Sequence, residues 1–366
     1  MKEFINTYNR LAGILLKQCA KEEKENVIIS PFSIIMLLAI AEDASSGKTK
    51  NEIANVLSGS ISFEEARDIL CDIHKLLEEK KTLSSANALC VHHAIEKHIL
   101  PDYITNLQNR FNGELFASEN LVQDVNTWTK EKTNGLIPQI MNEPISDEMV
   151  ACLLNAVSFK SDWYTEFDEK MILPERFTNL DNRVKEIPML HSTEKYYIED
   201  NYFTGFVKPY QADYSFMALL PKEEGESFLM RSLTQVDYVS LYLNKIRADV
   251  KIAMPEFSYS FEKELTGICQ MLGIHTVFTD NADFSPMTDV NIKAGSVLHK
   301  ARIELDRKGT KAAAVTRMNH FLTASACVFQ HEPRIVYLTR PFIYAIIHNE
   351  TCLPVFTGVL YDVFNT

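Results

Sequence analysis

The chain has 366 residues, of which 46% are hydrophobic and 23% charged, with a formal net charge of −12. Such composition is globular, with apolar material for one large core or for two or three average domains. The acidic balance excludes wholesale phosphate or nucleic-acid binding, and no run approaches the ~18 consecutive apolar residues of a membrane helix.

The first third reads as mostly helical. Phe4, Tyr8, Leu11, Ile14 and Leu15 recur at helical spacing, which predicts an amphipathic helix over 2–20. The same stretch lacks the unbroken apolar core of a signal peptide. Ser30 is placed to cap a second, largely apolar helix, with Pro31 at its first position, where a missing N–H costs nothing. Further helical stretches are predicted over 48–57, 63–80 and 124–133, the last closed by Asn134-Gly135. The seven cysteines are scattered, odd in number and free of CxxC pairs, which points away from a disulfide framework and toward a reducing compartment. The expected location is therefore the cytoplasm, or outside the cell by a leaderless route.

From about Val150 strand signals take over: 149–160, 214–220, 248–254, 298–305 and 334–338. A closing hairpin follows, from 343–348 and 355–360. Helices first and strands later indicate an α+β fold with mixed or antiparallel sheets. No linker or repeat divides the chain, so residues 1–366 are read as one domain. His92, His93 and His98 cluster without metal-ligand spacing, no nucleotide or hydrolase fingerprint is present, and neither an enzyme nor a cofactor is expected.

The segment that follows 298–305 carries the most information. With a strand's two-residue period, Thr310, Ala312, Ala314, Thr316, Met318, His320 and Leu322 fall on one face. Lys311, Ala313, Val315, Arg317, Asn319, Phe321 and Thr323 fall on the other. The first face opens with four small residues and both strong charges lie on the second. Gly309 stands ahead of them as a hinge with freedom at φ. Such a segment is able to enter a packed sheet while its charges stay in water; a charge on the inward face would cost several kcal/mol. A ~14-residue strand would add roughly a dozen backbone hydrogen bonds at ~1 kcal/mol net each. Burial of Met318 and Leu322 would add ~1.5–3 kcal/mol apiece. The composition alone equally allows an Ala-rich helical turn over 311–318.

Five stretches, in order along the chain, resemble one family. Asn26-Val27-Ile28-Ile29-Ser30-Pro31-Phe32-Ser33 is similar to the serpin opening NxxxSPxS. Val125-Asn126-Thr127-Trp128 with Lys132-Thr133-Asn134-Gly135-Leu136-Ile137 resembles VNxW…KTxGxI. Leu154-Asn155-Ala156-Val157-Ser158-Phe159-Lys160-Ser161-Asp162-Trp163 resembles the NAxxFKGxW strand. Tyr337 to Tyr344 resembles the C-terminal signature, with Thr339 in place of Asn or Asp. Pro354-Val355-Phe356-Thr357-Gly358 is similar to the last strand.

The resemblance, to a member without a leader of the ovalbumin-like or the pathogen or parasite type, implies three β-sheets, about nine helices and an exposed reactive-centre loop over about 308–334. It implies a monomeric inhibitor of a serine protease, with no nucleic-acid or membrane partner. The protease cleaves the loop and forms a covalent acyl complex, and the freed loop then inserts into the central sheet, a known kind of conformational switch. The hinge would be Gly309, Thr310, Lys311, Ala312, Ala313, Ala314, Val315 and Thr316. In family register the scissile bond joins Thr323 to Ala324, which suits an elastase-like pocket. A shift to Phe321 or Leu322 would suit a chymotrypsin-like one, and no basic residue lies close enough for a trypsin-like enzyme. Ser30, Ser33, Asn155 and His299 match the polar cluster beneath the central sheet, and Trp163 the aromatic at the point where insertion starts. Arg307 and Lys311 stand where inhibitory relatives usually carry Glu, and Cys327 lies just past the expected bond as an incidental thiol. The alternatives are a non-inhibitory carrier, chaperone or binding protein, and a cross-class inhibitor of cysteine proteases.

Overall fold

The computed structural model describes residues 1–22, 25–78, 82–142, 151–310 and 333–363. In chain order the elements are α1 (Lys2–Glu22), β1 (Val27–Ile29), α2 (Pro31–Asp43), α3 (Gly47–Ser58), α4 (Phe63–Glu78), β2 (Leu83–Val91), α5 (Pro101–Phe111), β3 (Gly113–Phe116) and α6 (Leu121–Lys132). Then come β4 (Ala151–Phe159), β5 (Ser161–Asp162), β6 (Ile172–Thr178), β7 (Val184–Glu199), β8 (Phe203–Pro209), β9 (Tyr214–Pro221), α7 (Glu226–Leu233) and α8 (Tyr238–Leu243). The last are β10 (Ile246–Pro255), β11 (Phe257–Glu264), α9 (Thr266–Met271), β12 (Ala294–Leu305), β13 (Gly309–Thr310), β14 (Arg334–Tyr337), β15 (Phe342–His348) and β16 (Pro354–Leu360).

Local chemistry accounts for the key boundaries. Ser30 caps α2: its hydroxyl accepts the Ser33 N–H, and Pro31 occupies the first turn. Residues 31–42 of α2 are buried on every side, as expected of a helix that runs through the core rather than over it. After α6 the chain turns through Asn134 and Gly135, both at left-handed φ (52° and 81°), where short or absent side chains avoid the Cβ clash.

The strands form two hydrogen-bonded networks. One runs β3-β2-β4-β12-β13-β5, with β11 on β12. The other runs β1-β16-β15-β9-β8-β7-β10-β14, with β6 on β7. The second network unites two of the three expected sheets. The 16-residue β7 pairs β6 along its first part, β10 from Met189 to Tyr197 and β8 at its end. Between the two networks lies the main apolar core, which holds Val157, Phe159, Ala301, Ile303 and Leu305 from the first and Phe216, Tyr344 and Ile346 from the second. α6 covers the opposite face of the first sheet, where Leu121, Val125 and Trp128 pack on Cys90, Cys152, Leu154 and Ala156.

Two predicted ends, residues 79–80 and residues 149–150, lie outside the described residues. β2 and β3, set within the helical third, were not anticipated, because Leu83 to Val91 mixes small polar and apolar residues without strand alternation.

Candidate functional site

The centre of the seven-stranded sheet is a parallel seam between β4 and β12, paired from Ala151 with Ala294 up to Val157 with Ala301. Parallel neighbours need a long crossover, and the chain between these two supplies β6 to β10 of the second sheet. Above the seam another strand already sits between the two sides. Thr310 of β13 pairs Leu305 of β12 on one flank, and Gly309 and Thr310 pair Asp162 and Ser161 of β5 on the other. The first two hinge residues thus occupy a strand position at the head of the seam, antiparallel to both flanks.

A tight turn delivers them. The Asp306 carboxylate accepts the N–H of Lys308 (2.8 Å) and of Gly309 (3.2 Å), and the Asp306 N–H donates to the Gly309 carbonyl (2.9 Å). The glycine is required, but for a different reason from the expected freedom at φ. Gly309 is not among the residues at positive φ. A Cβ there would collide with the Ser161 carbonyl oxygen and the Asp162 Cα, so the position demands close approach of two backbones.

Thr310 points inward, as the alternation predicts, and is only 2% exposed. Its hydroxyl lies 2.9 Å from the Tyr210 hydroxyl. Tyr210 is stacked on Trp163, with ring centroids 4.3 Å apart and planes 9° from parallel. Trp163 is fully buried and its indole N–H donates to the Asp306 carbonyl (2.9 Å), while its backbone N–H donates to Lys308 (2.8 Å). It therefore holds the turn and lies under the head of the seam. Beneath it the buried Lys208 ammonium sits 4.2 Å over the Phe167 ring and 5.4 Å over the Trp163 ring, paired with Glu194 at 2.8 Å. Burial lowers the Lys208 pKa, and Glu194 opposes that shift.

Arg307 is half-buried and its guanidinium contacts Glu169 at 2.6 Å, while its N–H donates to Glu256 (2.9 Å). The basic residue at the base of the hinge is thus matched by acidic partners.

Lower on the seam, Asn155 and His299 are register partners, and Ser30 and Ser33 lie beneath them at the start of α2. All four are fully buried. The Ser30 N–H donates to His299 Nε2 (3.1 Å), and the Ser30 hydroxyl donates to the Val355 carbonyl (2.8 Å). The Asn155 side-chain amide donates to the Asn87 side-chain Oδ1 (3.0 Å). Burial pushes the His299 pKa down to about 3, so the ring is neutral; with Nε2 accepting, Nδ1 carries its proton. Among the described residues, neither that Nδ1 nor the Asn155 carbonyl oxygen has a hydrogen-bond partner.

The structure thus brings Gly309, Thr310 and Trp163 together at the head of the seam, and Ser30, Ser33, Asn155 and His299 halfway down it. Lys311, Ala312, Ala313, Ala314, Val315 and Thr316, the bond residues Phe321, Leu322, Thr323 and Ala324, and Cys327 lie outside the described residues. Tyr210, Lys208, Glu194, Glu169 and Glu256 were missed. Each acts through a partner distant in sequence or on another strand, and no local motif marks it.

The serpin (serine protease inhibitor) family model matches residues 6–363. Iripin-2 of Ixodes ricinus is 30% identical over 361 residues, covering 94% of this chain and 89% of that protein. Serine proteinase inhibitor 1 of Variola virus is 27% identical over 341 residues, covering 90% of each. The thermophilic serpin Tengpin in its native state superposes with a TM-score of 0.88 at 31% identity, covering 99% of this chain and 95% of that one.

Proposed function

The chain belongs to the serpin family, and from that premise we propose that it is a suicide-substrate inhibitor of a chymotrypsin- or elastase-like serine protease. The observation that carries this reading is the strand position of Gly309 and Thr310 between β12 and β5. Insertion then needs no new nucleus, only extension of a strand already begun.

The protease serine oxygen attacks the carbonyl carbon of Thr323, the amide bond to Ala324 breaks, and the new amine takes a proton and leaves. The ester that remains ties the protease to the end of the segment that starts at Thr310. Continued in the register of β13, that segment meets complementary positions along the seam. Ala312 arrives beside Phe159 and Ile303, Ala314 between Val157 and Ala301, and Thr316 between Asn155 and His299. A hydroxyl both donates and accepts, so Thr316 is able to serve the Asn155 oxygen and the His299 Nδ1–H together. Small inward residues higher up enter without displacing the large core side chains.

In this register the outward positions would not all meet water. Lys311 arrives beside Glu304. Arg317 falls between Leu154 and Leu298, in the apolar layer that α6 covers. The lower half of the insertion therefore carries a desolvation cost for one guanidinium.

A second reading, a serpin cleaved as an ordinary substrate, draws on Arg307. Its pairing with Glu169 tethers the turn ahead of the hinge, although a largely exposed pair of this kind contributes about 0–1 kcal/mol. Incubation with chymotrypsin-, elastase-, trypsin- and cathepsin-type proteases, followed by denaturing electrophoresis, separates the two. A complex that survives SDS with the first or second enzyme supports trapping. Complete cleavage with no complex by every enzyme overturns it, and the mass of the released C-terminal peptide locates the bond.

A further inference from the structure

We infer that Cys90 and Cys152 are a redox-active dithiol, which closes into a cross-strand disulfide between β2 and β4 when the chain folds in the presence of a small-molecule disulfide. The antiparallel register of β2 and β4 sets Cys90 directly opposite Cys152. Residues opposed in such a ladder have Cα atoms about 4.5–5.5 Å apart, within the span a disulfide bridges without backbone movement. Both side chains lie on the face beneath α6, packed with Leu121, Val125 and Trp128, and both are thiols here.

Their burial decides when the reaction is possible. Cys90 is 0% and Cys152 2% exposed, and burial pushes the Cys90 thiol well above its usual pKa, with Cys152 adding to the effect. The thiolate is the attacking species, so the closed sheet protects the pair and closure occurs during folding, before α6 docks. One thiolate attacks the small disulfide, forms a mixed disulfide and expels one thiolate. The second cysteine then attacks the protein-side sulfur and expels the other. The two cysteine sulfurs are oxidised together, the reagent is reduced to two thiols, and the cysteine protons end on those thiols.

The bridge lies wholly on one side of the seam. A strand that enters between β4 and β12 displaces β2 and β4 together, by about 4.8 Å relative to β12. The bond would therefore harden the fold in an oxidising setting without crossing the line along which the sheet opens, and would stay reduced in a reducing one.

The test is to refold the full chain from guanidinium with a glutathione disulfide/glutathione pair, or with dithiothreitol, then alkylate, digest without reduction and analyse the peptides by mass. The expected result is a dominant peptide pair joining Cys90 to Cys152, a loss of two titratable thiols and an unfolding midpoint about 5 °C higher than after reduction. Cys90→Ala should abolish both the thiol loss and the midpoint shift. Alkylation of both cysteines after oxidative refolding, or linked peptides spread over all the cysteines without preference, would overturn the inference from the unmodified chain alone.

Discussion

Asn155 and His299 stand at paired positions across the β4–β12 seam, each fully buried and each with one polar atom that has no partner among the described residues. An unsatisfied buried group costs about 1–3 kcal/mol. The closed sheet therefore holds a local excess of free energy at the seam proposed to open, and a hydroxyl arriving between the two residues would remove it.

Thr316→Val tests this directly, since it keeps the shape and deletes the hydroxyl. The cleaved protein should lose about 1–3 kcal/mol of stability while the intact protein keeps its own. Thermal unfolding of both forms measures the difference. An unchanged midpoint for the cleaved variant would place the segment in another register.

Thr310→Arg puts a charge on a side chain that is 2% exposed and bonded to Tyr210. Burying it unpaired costs several kcal/mol, and each ~1.4 kcal/mol added to the insertion barrier slows the step about tenfold. Deacylation should then outrun insertion, and the variant should be consumed as a substrate. Full stoichiometric trapping by this variant would contradict the inward placement.

Arg317→Val removes the guanidinium expected between Leu154 and Leu298. The cleaved form should melt higher and the molar excess needed for full inhibition should fall, with the intact form unaffected. A cleaved form that melts lower than wild type would mean that Arg317 finds a partner beneath α6.

The pH dependence carries two opposed contributions. His299 is depressed from 6.5 to about 3, so its stabilisation is complete above 6.5 and is lost as pH falls toward 3. Glu42 has the opposite sign. It is fully buried in α2, 3.5 Å from the Lys50 ammonium, and burial raises it from 4.5 to about 7 against Lys50 and Arg67. Its stabilisation is complete below 4.5 and is lost as pH rises toward 7. Between 4.5 and 6.5 the two slopes, each about 1.4 kcal/mol per pH unit, cancel. In His299→Gln stability should fall as pH rises through that window, and in Glu42→Gln it should rise. Denaturant titrations at half-unit steps would reveal two parallel curves instead if neither group titrates in this way.

Much of this was legible from the chain. Helix α2, its Ser30 cap, the closing hairpin and the inward placement of Thr310 follow from local rules: capping, period-two alternation and proline placement act over a few residues. Five ordered motifs identified the family for the same reason, since each is a short run with a local shape. The role of Gly309 was only half legible. Sequence marks a glycine as special but does not distinguish backbone freedom from the close approach of Ser161 and Asp162.

By itself, then, the sequence determined the family, the α+β class and the inward placement of Thr310. Only the tertiary structure decided that Gly309 and Thr310 already lie in the sheet, that Lys208 and Glu194 support Trp163 from below, and that the face of β4 and β12 carrying Leu154 and Leu298 is covered by α6 rather than water. The physical reason is range. Alternation says which side of a strand a residue faces, whereas what waits on that side is set by strands and helices up to some 200 residues away.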